Sequence, residues 1–413
     1  MGQYREERRR QPPNDGVEKD FAQALSLHKR HELEPAARLY RRVLQHAPGH
    51  ADALQLLGAV ESEAGNTEVA LTLLRRAVGV KPGNGHAHNN LGKALVQAQR
   101  LEEALPCFEF ACALMPDNLK AQTNRGRTLY KLDRLEEALA CFDGVLALMP
   151  TDVAALIHRS ELLIRLSMAD PKWREAAVHA LHQALPHSHD ADAIRYALAS
   201  LGAAETPAAS PRGYVERVFD GYADEFDHHL TGTLEYRTPQ LIGQALQRAG
   251  VPAGAQVLDL GCGTGLCAEF LRPLAQHLVG VDLSTKMLDK ARERGLYDEL
   301  VCADIVEHLQ GLQSGLDLVV ASDVFIYLGD LQPVHAAVAR VLRPGGLFIY
   351  SVESCAEADF LLRPSRRYAH ASPYLQRLAQ QEGFEVLGLE AVILRKECGA
   401  GVAGWVSMLR RPG

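Results

Sequence analysis

Apolar residues recur at helical spacing through the first part of the chain, and the pattern repeats about every 34 residues. Units of this length align at residues 17–50, 51–84, 85–118 and 119–152. The eighth position of each unit is small, the twentieth is alanine, and a proline stands near the end. These residues are Ala24, Gly58, Gly92 and Gly126, then Ala36, Ala70, Ala104 and Ala138, then Pro48, Pro82, Pro116 and Pro150.

This spacing predicts two antiparallel helices in each unit. Small residues allow the two helices to cross closely, and a proline cannot continue the second helix, so it ends there. We expect the larger residues of the twenty-fourth position to fill the gap between units. They are Tyr40, Leu74, Phe108 and Phe142.

A fifth unit begins near Val153 and departs from the pattern, with an insertion at residues 169–172. We predict that residues 153–203 form a degenerate repeat followed by a helix that caps the exposed apolar end of the array. Residues 1–16 are predicted to be a disordered lead. The small, proline-bearing segment 204–213 is predicted to link the array to a second domain at 214–413.

The repeat pattern resembles the tetratricopeptide repeat over residues 17–152. This resemblance implies an all-α solenoid whose first helices line a concave groove for a protein or peptide partner. Asn90 and Asn124 occupy the sixth position of units three and four, where an amide can hold a peptide backbone by two hydrogen bonds. The alternative is that these amides have no binding role, because Leu56 and His158 stand at the equivalent places on either side.

Beyond residue 214, short apolar runs alternate with helical patterns, which predicts an α/β domain with a parallel sheet. The first of these strands, at 257–260, runs into a loop with the pattern D-x-G-x-G-x-G. Its residues are Asp259, Gly261, Gly263 and Gly265. We expect a helix at 266–274 to follow. Cys262 lies within the loop, where a small side chain that fits is favoured over a nucleophile.

The loop differs from the dinucleotide fingerprint G-x-G-x-x-G, which sets a pyrophosphate on a helix N-terminus. A carboxylate before the first glycine repels phosphate and suits a ligand with an amine or a sulfonium. Asp282 ends the second strand about twenty residues further on, where an acid accepts from ribose hydroxyls. Asp304 ends the third strand. A nicotinamide domain shares the ribose acid, but it gives no reason for Asp259 and Asp304 together.

These residues resemble the class I S-adenosyl-L-methionine (SAM) methyltransferases, as does the L-x-P-G-G turn at 342–346. The whole chain is similar to a bacterial family that fuses tetratricopeptide repeats to such a domain. The resemblance implies a Rossmann-like, mostly parallel seven-stranded sheet with a C-terminal antiparallel hairpin, and an acid at Asp304 for the adenine amino group. It also implies SAM as cofactor, with these residues at its site: Asp259, Gly261, Cys262, Gly263, Gly265, Asp282, Leu283, Asp304, Ile305, Ser322, Tyr222 and Tyr214.

The stretch 214–230 is both aromatic and acidic. In the family, a lead-in of this kind folds over the cofactor, and Tyr214, Phe219 and Tyr222 would cover the site. The alternative is that these aromatic residues only pack a helix on the sheet.

Candidate acceptor-side residues follow the fourth and fifth strands. The resemblance implies Asp323 and Tyr327 beside the methyl group, and the predicted loop 366–370 supplies Arg367, Tyr368 and His370. His370 titrates near neutral pH and is either a general base or a surface residue. An Asn-Pro-Pro-aromatic motif is absent after the fourth strand. This disfavours amide or nucleobase methylation and leaves O-, C- and small-molecule N-methylation open.

Charge and composition narrow the function further. A formal net charge of -7 and a pI near 6.2 argue against general nucleic-acid binding. The eight cysteines form no C-x-x-C pair or zinc spacing, which favours a reducing cytoplasm and no metal site. Apolar runs are too short to cross a bilayer, so no membrane association is expected. The sequence thus predicts a SAM-dependent methyltransferase guided by its repeats. The alternative is a SAM-binding scaffold that acts through protein–protein interaction.

Overall fold

The structure is a computed structural model that describes residues 15–223, 226–228, 235–397 and 400–413. The chain divides into two compact units, the first ending at His187 and the second beginning at Ser188. The lead predicted at residues 1–16 falls almost wholly outside the described residues. The predicted domain boundaries stay a prediction, although the units divide earlier than the linker expected at 204–213.

In the described part of the first unit, first and second helices of successive repeats alternate along the chain. They are α1 (Asp15–Lys29), α2 (Leu33–His46), α3 (Ala51–Glu63), α4 (Thr67–Val80), α5 (Gly85–Gln97), α6 (Leu101–Leu114), α7 (Leu119–Lys131), α8 (Leu135–Leu148), α9 (Val153–Ala169) and α10 (Arg174–Ala184). A 3-10 turn, Pro171–Trp173, occupies the insertion predicted in the fifth repeat.

From α2 to α8, the helices of the array begin and end at equivalent positions in each repeat. A side chain at the same place in each repeat accepts a hydrogen bond from the N–H three residues on, and this caps the first helix. Each second helix ends two residues before the repeat's proline, because a proline disfavours helical geometry in the residue that precedes it. The capping residues are His50, Asn84, Asn118 and Asp152.

The glycine of the eighth position packs against the large residue of the twenty-fourth position in the same repeat. A Cβ atom on Gly92 would lie 2.7 Å from the Phe108 ring, and one on Gly58 would lie 2.6 Å from Leu74. These large residues close the crossing of the two helices within one repeat. They also pack against the next repeat, as expected, since Leu74 shares a hydrophobic core with Leu91 and Leu95, and the Phe142 ring lies 5.4 Å from the His158 ring.

The helix predicted to cap the array, α11 (Ala191–Ser200), belongs to the second unit. The Tyr196 hydroxyl bonds to the Ser210 hydroxyl over 2.6 Å and donates to the Arg366 carbonyl at 2.9 Å. Residues of the predicted linker are also hydrogen-bonded within this unit. The Gly329 N–H donates to the Ala208 carbonyl, and the Ser210 N–H donates to the Tyr327 carbonyl. This segment is therefore hydrogen-bonded to the second domain rather than free.

The second unit contains one sheet with helices on both faces. Its strands are β1 (Ala255–Leu260), β2 (Ala275–Asp282), β3 (Glu299–Cys302), β4 (Leu316–Ala321), β5 (Leu342–Ser354), β6 (Phe360–Leu362), β7 (Tyr368–His370), β8 (Glu385–Glu397) and β9 (Ala400–Arg410). The remaining helices are α12 (Arg212–Tyr222), α13 (Phe226–His228), α14 (Thr238–Ala249), α15 (Ala268–Leu271), α16 (Thr285–Arg294), α17 (Ile305–Gly311), α18 (Gln332–Val341) and α19 (Ser372–Gln381).

Strands β3, β2, β1, β4 and β5 are parallel neighbours in that order, and β9 then pairs antiparallel with both β5 and β8. This confirms the predicted parallel sheet with a C-terminal antiparallel hairpin. Alternate residues of β1 pack into two different hydrophobic cores of the second unit. Leu258 and Leu260 pack with α18 and α19, while Ala255 and Val257 pack with α14. The short β6–β7 pair beside the end of β5 was not predicted.

The helix crossing in the third repeat can be tested by replacing each of two glycines with leucine in separate variants. Gly92→Leu would drive a side chain into the buried Phe108 ring, and overpacking of this kind costs about 1–3 kcal/mol. Gly79→Leu is the control, because a Cβ atom there meets nothing within 4 Å and leucine favours a helix. We expect urea unfolding, followed by circular dichroism, to shift to lower urea for Gly92→Leu alone. Equal midpoints for the two variants would contradict the assigned packing.

Candidate SAM and acceptor site

The glycine loop turns sharply at the end of β1. Gly261, Gly263 and Gly265 have φ values of +65°, +54° and +86°, which L side chains rarely adopt. A Cβ atom on Gly261 would lie 2.3 Å from Val324, so this glycine allows close packing. Above Gly263, by contrast, a Cβ atom would meet only a Phe226 ring carbon at 4.0 Å. The loop therefore leaves room for a ligand at Gly263.

The helix expected at residues 266–274 is largely absent, and only α15 (Ala268–Leu271) forms. The preceding residues form turns instead, with Gly265 N–H donating to the Cys262 carbonyl at 2.9 Å and Ala268 N–H to Gly265 at 3.1 Å. A helix of one turn has only a small dipole, whereas dinucleotide sites use the dipole of a longer helix to bind phosphate.

Asp282 holds the loop from the end of β2. One of its oxygens accepts the Gly263 N–H at 2.9 Å, and the other accepts the Ser284 N–H at 2.9 Å. Ser284 in turn caps α16, because its hydroxyl accepts the Met287 N–H at 3.2 Å. Burial raises the pKa of Asp282, and the two backbone donors oppose that rise. Both carboxylate oxygens are thus oriented, and each retains a lone pair.

Asp259 lies beneath the same loop with 1% of its surface exposed. The Tyr297 hydroxyl donates to its Oδ2 at 2.7 Å, while Oδ1 is buried with no hydrogen-bond partner among the described residues. Burial raises the pKa of Asp259 to about 7; the Tyr297 hydrogen bond lowers it, and the Asp282 charge raises it. Tyr297 was missed by the sequence analysis, because nothing near it marks a partner 38 residues away.

Cys262 is also buried, and burial together with the charges of Asp259 and Asp282 raises the pKa of its thiol well above the ordinary value. A protonated thiol is a weak nucleophile. The geometry therefore favours the reading of Cys262 as a small residue that fits the loop.

Asp304 begins α17 at the end of β3. Its Oδ1 accepts the N–H groups of Val306 at 2.8 Å and Glu307 at 3.1 Å. The next residue, Ile305, is buried, and Leu283 follows Asp282 on the neighbouring strand. These residues end adjacent parallel strands and lie on the same edge of the sheet as the glycine loop, as predicted from sequence.

Carboxylates of the lead-in segment, residues 214–230, form hydrogen bonds to this edge of the sheet. Asp220 of α12 accepts the Ser284 hydroxyl at 2.6 Å, and Asp227 accepts the Thr264 hydroxyl at 2.5 Å. Arg294 pairs with Asp227 at 2.6 Å and donates to the Thr264 carbonyl at 2.7 Å. Sequence analysis noted the acidic residues of the segment but did not assign these contacts.

The lead-in aromatics extend from the loop toward the end of β4. The Phe219 ring meets Phe226 at 6.0 Å and Tyr327 at 5.5 Å, both edge to face. Tyr214 packs further away, with its ring 5.3 Å from Tyr196 and under the Arg366 guanidinium. Phe219 is thus the aromatic residue that spans the two sides of the edge. The side chain of Tyr222 lies outside the described residues.

Asp323 follows β4 and has a left-handed φ of +58°, which is uncommon for a residue other than glycine. Its N–H donates to the Ser351 hydroxyl at 2.9 Å, and Arg395 lies 3.3 Å from both of its carboxylate oxygens. Burial raises the pKa of Asp323, while the Arg395 charge lowers it. Its neighbour Ser322 is 3.4 Å from the Tyr236 hydroxyl.

A network of buried ion pairs surrounds Asp323. Arg395 of β8 has a side chain only 1% exposed and also pairs with Glu353 of β5, which Arg363 contacts at 2.9 Å. Removing one member of such a network is costly, because it leaves a buried charge without compensation. Arg395 was missed by the sequence analysis, although a charged residue in an apolar strand was a signal.

His370 and Tyr368 lie in β7 and not in a surface loop, so the predicted loop 366–370 is wrong at these positions. His370 is 0% exposed, its Nε2 bonds to the Gly329 carbonyl at 3.0 Å, and burial lowers its pKa to about 4. Tyr368 is equally buried and donates to the Pro207 carbonyl at 2.7 Å. Both side chains are enclosed by the β6–β7 pair and its neighbours, so neither is exposed to solvent.

Arg367 and Tyr327 remain near Asp323. Arg367 is ion-paired with Glu397 and is a quarter exposed. Burial raises the pKa of Tyr327 to about 12, while the charge of Arg367 lowers it. Tyr327 is therefore neutral near pH 7.

The two amides of the array lie on neighbouring first helices, Asn90 on α5 and Asn124 on α7. Asn124 donates to the Asn89 side chain at 3.0 Å, so one of the two predicted amides is engaged with the preceding repeat. Asn90 makes no hydrogen bond within the described residues.

Two family models match the chain. One, described as methyltransferase domain, matches residues 257–346, which include the glycine loop, Asp282, Asp304 and Asp323. The other, described as tetratricopeptide repeat, matches residues 21–85, 60–114 and 89–153. The chain joins tetratricopeptide repeats to a methyltransferase domain.

The methyltransferase domain is similar to the malonyl-(acyl-carrier protein) O-methyltransferase of Hamiltonella defensa subsp. Acyrthosiphon pisum, with 37% identity over 106 residues, which are 26% of this chain and 41% of that protein. It is also similar to the ubiquinone biosynthesis O-methyltransferase of Klebsiella pneumoniae subsp. pneumoniae, with 31% identity over 117 residues, covering 27% of this chain and 48% of that protein. The matched stretches thus span less than half of either relative.

Among solved structures, magnesium protoporphyrin IX methyltransferase from Synechocystis PCC 6803 with bound SAH is similar at 15% identity and a TM-score of 0.40. The match covers 49% of this chain and 100% of that chain.

Two other features are absent from the described residues, a metal site and a membrane-spanning helix. Residues 15–223, 226–228, 235–397 and 400–413 contain no group of three or more histidine, cysteine or acidic side chains arranged to hold a metal ion. In the same ranges, the helices are all too short or too polar to cross a membrane.

The Asp259–Tyr297 pair of the methyltransferase domain predicts a pH dependence of stability. Folded protein keeps the Asp259 proton up to about pH 7, whereas the unfolded chain releases it near 3.8. The contribution to the free energy of unfolding is therefore present at low pH and is lost as pH rises through about 7. Urea unfolding at about pH 5 and about pH 8 should show a larger loss for the wild type than for Asp259→Asn.

Tyr297→Phe is the companion variant, because it removes the hydroxyl that lowers the Asp259 pKa. We expect its pH-dependent loss of stability to continue to a higher pH than in the wild type, because the pKa of Asp259 in the folded protein is higher. Identical pH dependence in the wild type and Asp259→Asn would show that Asp259 does not titrate in this range.

Proposed function

We propose that this protein is a SAM-dependent methyltransferase whose repeat array recruits a protein partner or substrate. The observation that carries the proposal is Asp282, whose two oxygens are held by backbone N–H groups directly beside the open face of Gly263. A carboxylate fixed at this place favours a ligand with two adjacent hydroxyl groups, such as a ribose. The same N–H of Gly263, once bonded to a carboxylate, is not available to a phosphate.

The other strand ends fit the same ligand. Asp304 uses Oδ1 for the α17 backbone, and its carboxylate would accept from an adenine amino group. Leu283 and Ile305 would pack against the adenine ring, and Phe219 would cover the edge from the lead-in side. Asp259 is too buried for direct contact, so we assign it a positioning role beneath the loop. Bound SAM would supply a methyl group on a positively charged sulfur, which acidic surroundings favour.

We further propose that the acceptor atom is an oxygen. Both reported relatives of the methyltransferase domain are O-methyltransferases by name, and Asp323 is suited to hold the proton that a hydroxyl acceptor gives up. Its raised pKa brings a carboxylate closer to the value that a general base needs near neutral pH. Its unusual backbone conformation is of the kind that clusters at functional sites. His370 has no part in this proposal, because it is fully buried.

Arg367 and Tyr327 would border the acceptor. Arg367 carries a partly exposed guanidinium beside Tyr327 and suits an acidic group on the acceptor. Tyr327, neutral near pH 7, would donate a hydrogen bond rather than take a proton.

The cofactor assignment is tested by Asp282→Ala, measured by isothermal titration calorimetry with SAM. Loss of the carboxylate should weaken binding by about 1.5–3 kcal/mol or more, the usual range for a hydrogen bond to a charged group. Glu293→Ala, an exposed position on the nearby α16, is the control and should leave the affinity unchanged. Equal affinities in the two variants would argue against the ribose role of Asp282.

The acceptor assignment is tested by Asp323→Asn, assayed as transfer of labelled methyl from SAM to components of a bacterial extract. We expect turnover to fall by about 10²–10⁴-fold, the range for loss of a general base, with SAM affinity unchanged. Tyr327→Phe is the control and should lose less. SAM binding without any turnover by the wild type would support the scaffold alternative instead.

The chemistry of the labelled product gives an independent check. Alkali releases volatile methanol from a methyl ester but not from a methyl ether. Volatile label would mean a carboxylate acceptor, which is already ionised near neutral pH and needs no base. That result would keep the oxygen acceptor but remove the proposed role of Asp323.

A further inference from the structure

In its third and fourth repeats, the array separates its charges between the two helices of a repeat. The first helices of the third and fourth repeats, α5 and α7, contain five lysine or arginine residues and no aspartate or glutamate. The second helices, α6 and α8, contain six acidic residues and no lysine or arginine. The five cations are Lys93, Lys120, Arg125, Arg127 and Lys131, and the six acids are Glu102, Glu103, Glu109, Glu136, Glu137 and Asp143.

The cations of the first helices also differ in their pairing. Arg125 approaches Glu109 at 3.9 Å, but the other four are exposed and make no ion pair or hydrogen bond within the described part of the chain. The arginines of the earlier second helices, α2 and α4, behave differently, because each contacts an acid or a carbonyl. They are Arg38, Arg41, Arg42, Arg75 and Arg76.

The first helices form the inner surface of the array. α3, α5, α7 and α9 contact one another in succession, while the second helices contact each other less. Since neighbours in a curved array approach most closely on its inner side, the first helices line the concave face. Contacts across that face include Asn89–Asn124 at 3.0 Å, and Arg165 5.1 Å from the centre of the Tyr130 ring.

Lys93 and Arg127 are equivalent residues of adjacent repeats, so they stand side by side on this face. Asn90 and Asn124 lie one helical turn before them. At the same position of the fifth repeat stands Glu161, which lies 3.7 Å from His158. Arg165 of the fifth repeat also lies on this face, but it is paired with Asp133 at 2.9 Å. The unpaired cations of the face therefore lie in the third and fourth repeats. We call it the cationic groove and define it by Lys93, Lys120, Arg127 and Lys131.

We propose that the cationic groove binds an acidic peptide segment of a partner protein. Four unpaired cations supply charge complementarity, and the nearby amides can hold an extended backbone. This proposal rests on the recruiting role of the array proposed above and names the chemistry of its partner. A nucleic acid is the weaker candidate, because the chain as a whole carries a net charge of -7.

The test measures fluorescence anisotropy of a labelled peptide of alternating glutamate and glycine with the full-length protein. A peptide with glutamine in place of glutamate is the neutral probe. We expect the glutamate peptide to bind at least roughly tenfold more tightly, and its affinity to fall as salt is added. Equal binding of the two peptides would overturn the proposal.

The location of the site is tested by charge reversal. Lys93→Glu with Arg127→Glu should weaken binding of the glutamate peptide by roughly tenfold or more. Arg100→Glu with Arg134→Glu is the matched control. It changes the net charge equally in the same two repeats, but at the start of the second helices, where both arginines already pair with Glu103 and Glu137. Circular dichroism verifies folding of both. An equal loss in the control would overturn the groove assignment.

Two further measurements distinguish this proposal from nucleic-acid binding and from the proposed enzymatic function. A labelled single-stranded oligonucleotide that binds as tightly as the glutamate peptide, and that also depends on Lys93 and Arg127, would overturn the peptide assignment. Calorimetry with SAM should give the same affinity in every groove variant. Failure of SAM binding or methyl transfer with intact peptide binding would reject the enzymatic function and leave the groove proposal standing.

Discussion

The hydrogen bond from the Gly263 N–H to the Asp282 carboxylate is the contact on which the methyltransferase site depends. It joins the loop after β1 to the end of β2 across 2.9 Å. It also commits the backbone donor that a phosphate would otherwise use. The left-handed backbone of Gly263 makes this possible, because a side chain there would be strained and would narrow the open face of the loop. One contact thus fixes the loop beside the open face of Gly263 and occupies the donor that an anionic ligand would need.

The contacts around this loop come from parts of the chain that are distant in sequence. Asp220 and Asp227 hold the lead-in segment to Ser284 and Thr264, and Tyr297 supports Asp259 from below. Each of these bonds involves a charged or buried oxygen, so its loss would leave a polar group without compensation. The lead-in is consequently part of the site and not only a connection to it.

At the other end of the site, charge is buried rather than exposed. Arg395 balances Asp323 and Glu353 with almost no contact with solvent. Buried ion pairs contribute little net stability, because desolvation offsets the attraction between the charges. Their use here is geometric, since they orient the carboxylate of Asp323 and tune its pKa at the place where an acceptor would bind.

The sequence by itself determined the repeat length, the ends of the second helices in the array, the succession of β1 to β5 along the chain and the acids at the strand ends. These features depend on local rules: small residues where helices cross, proline after a helix, and glycine where φ is positive. Only the tertiary structure decided which carboxylates are open and which are buried. His370 and Tyr368 are core residues because β7 pairs with β5 and β6. Arg395 contacts Asp323, which is 72 residues away in the sequence. Such pairings leave no periodic trace in the chain, because burial is set by all the elements that pack around a residue.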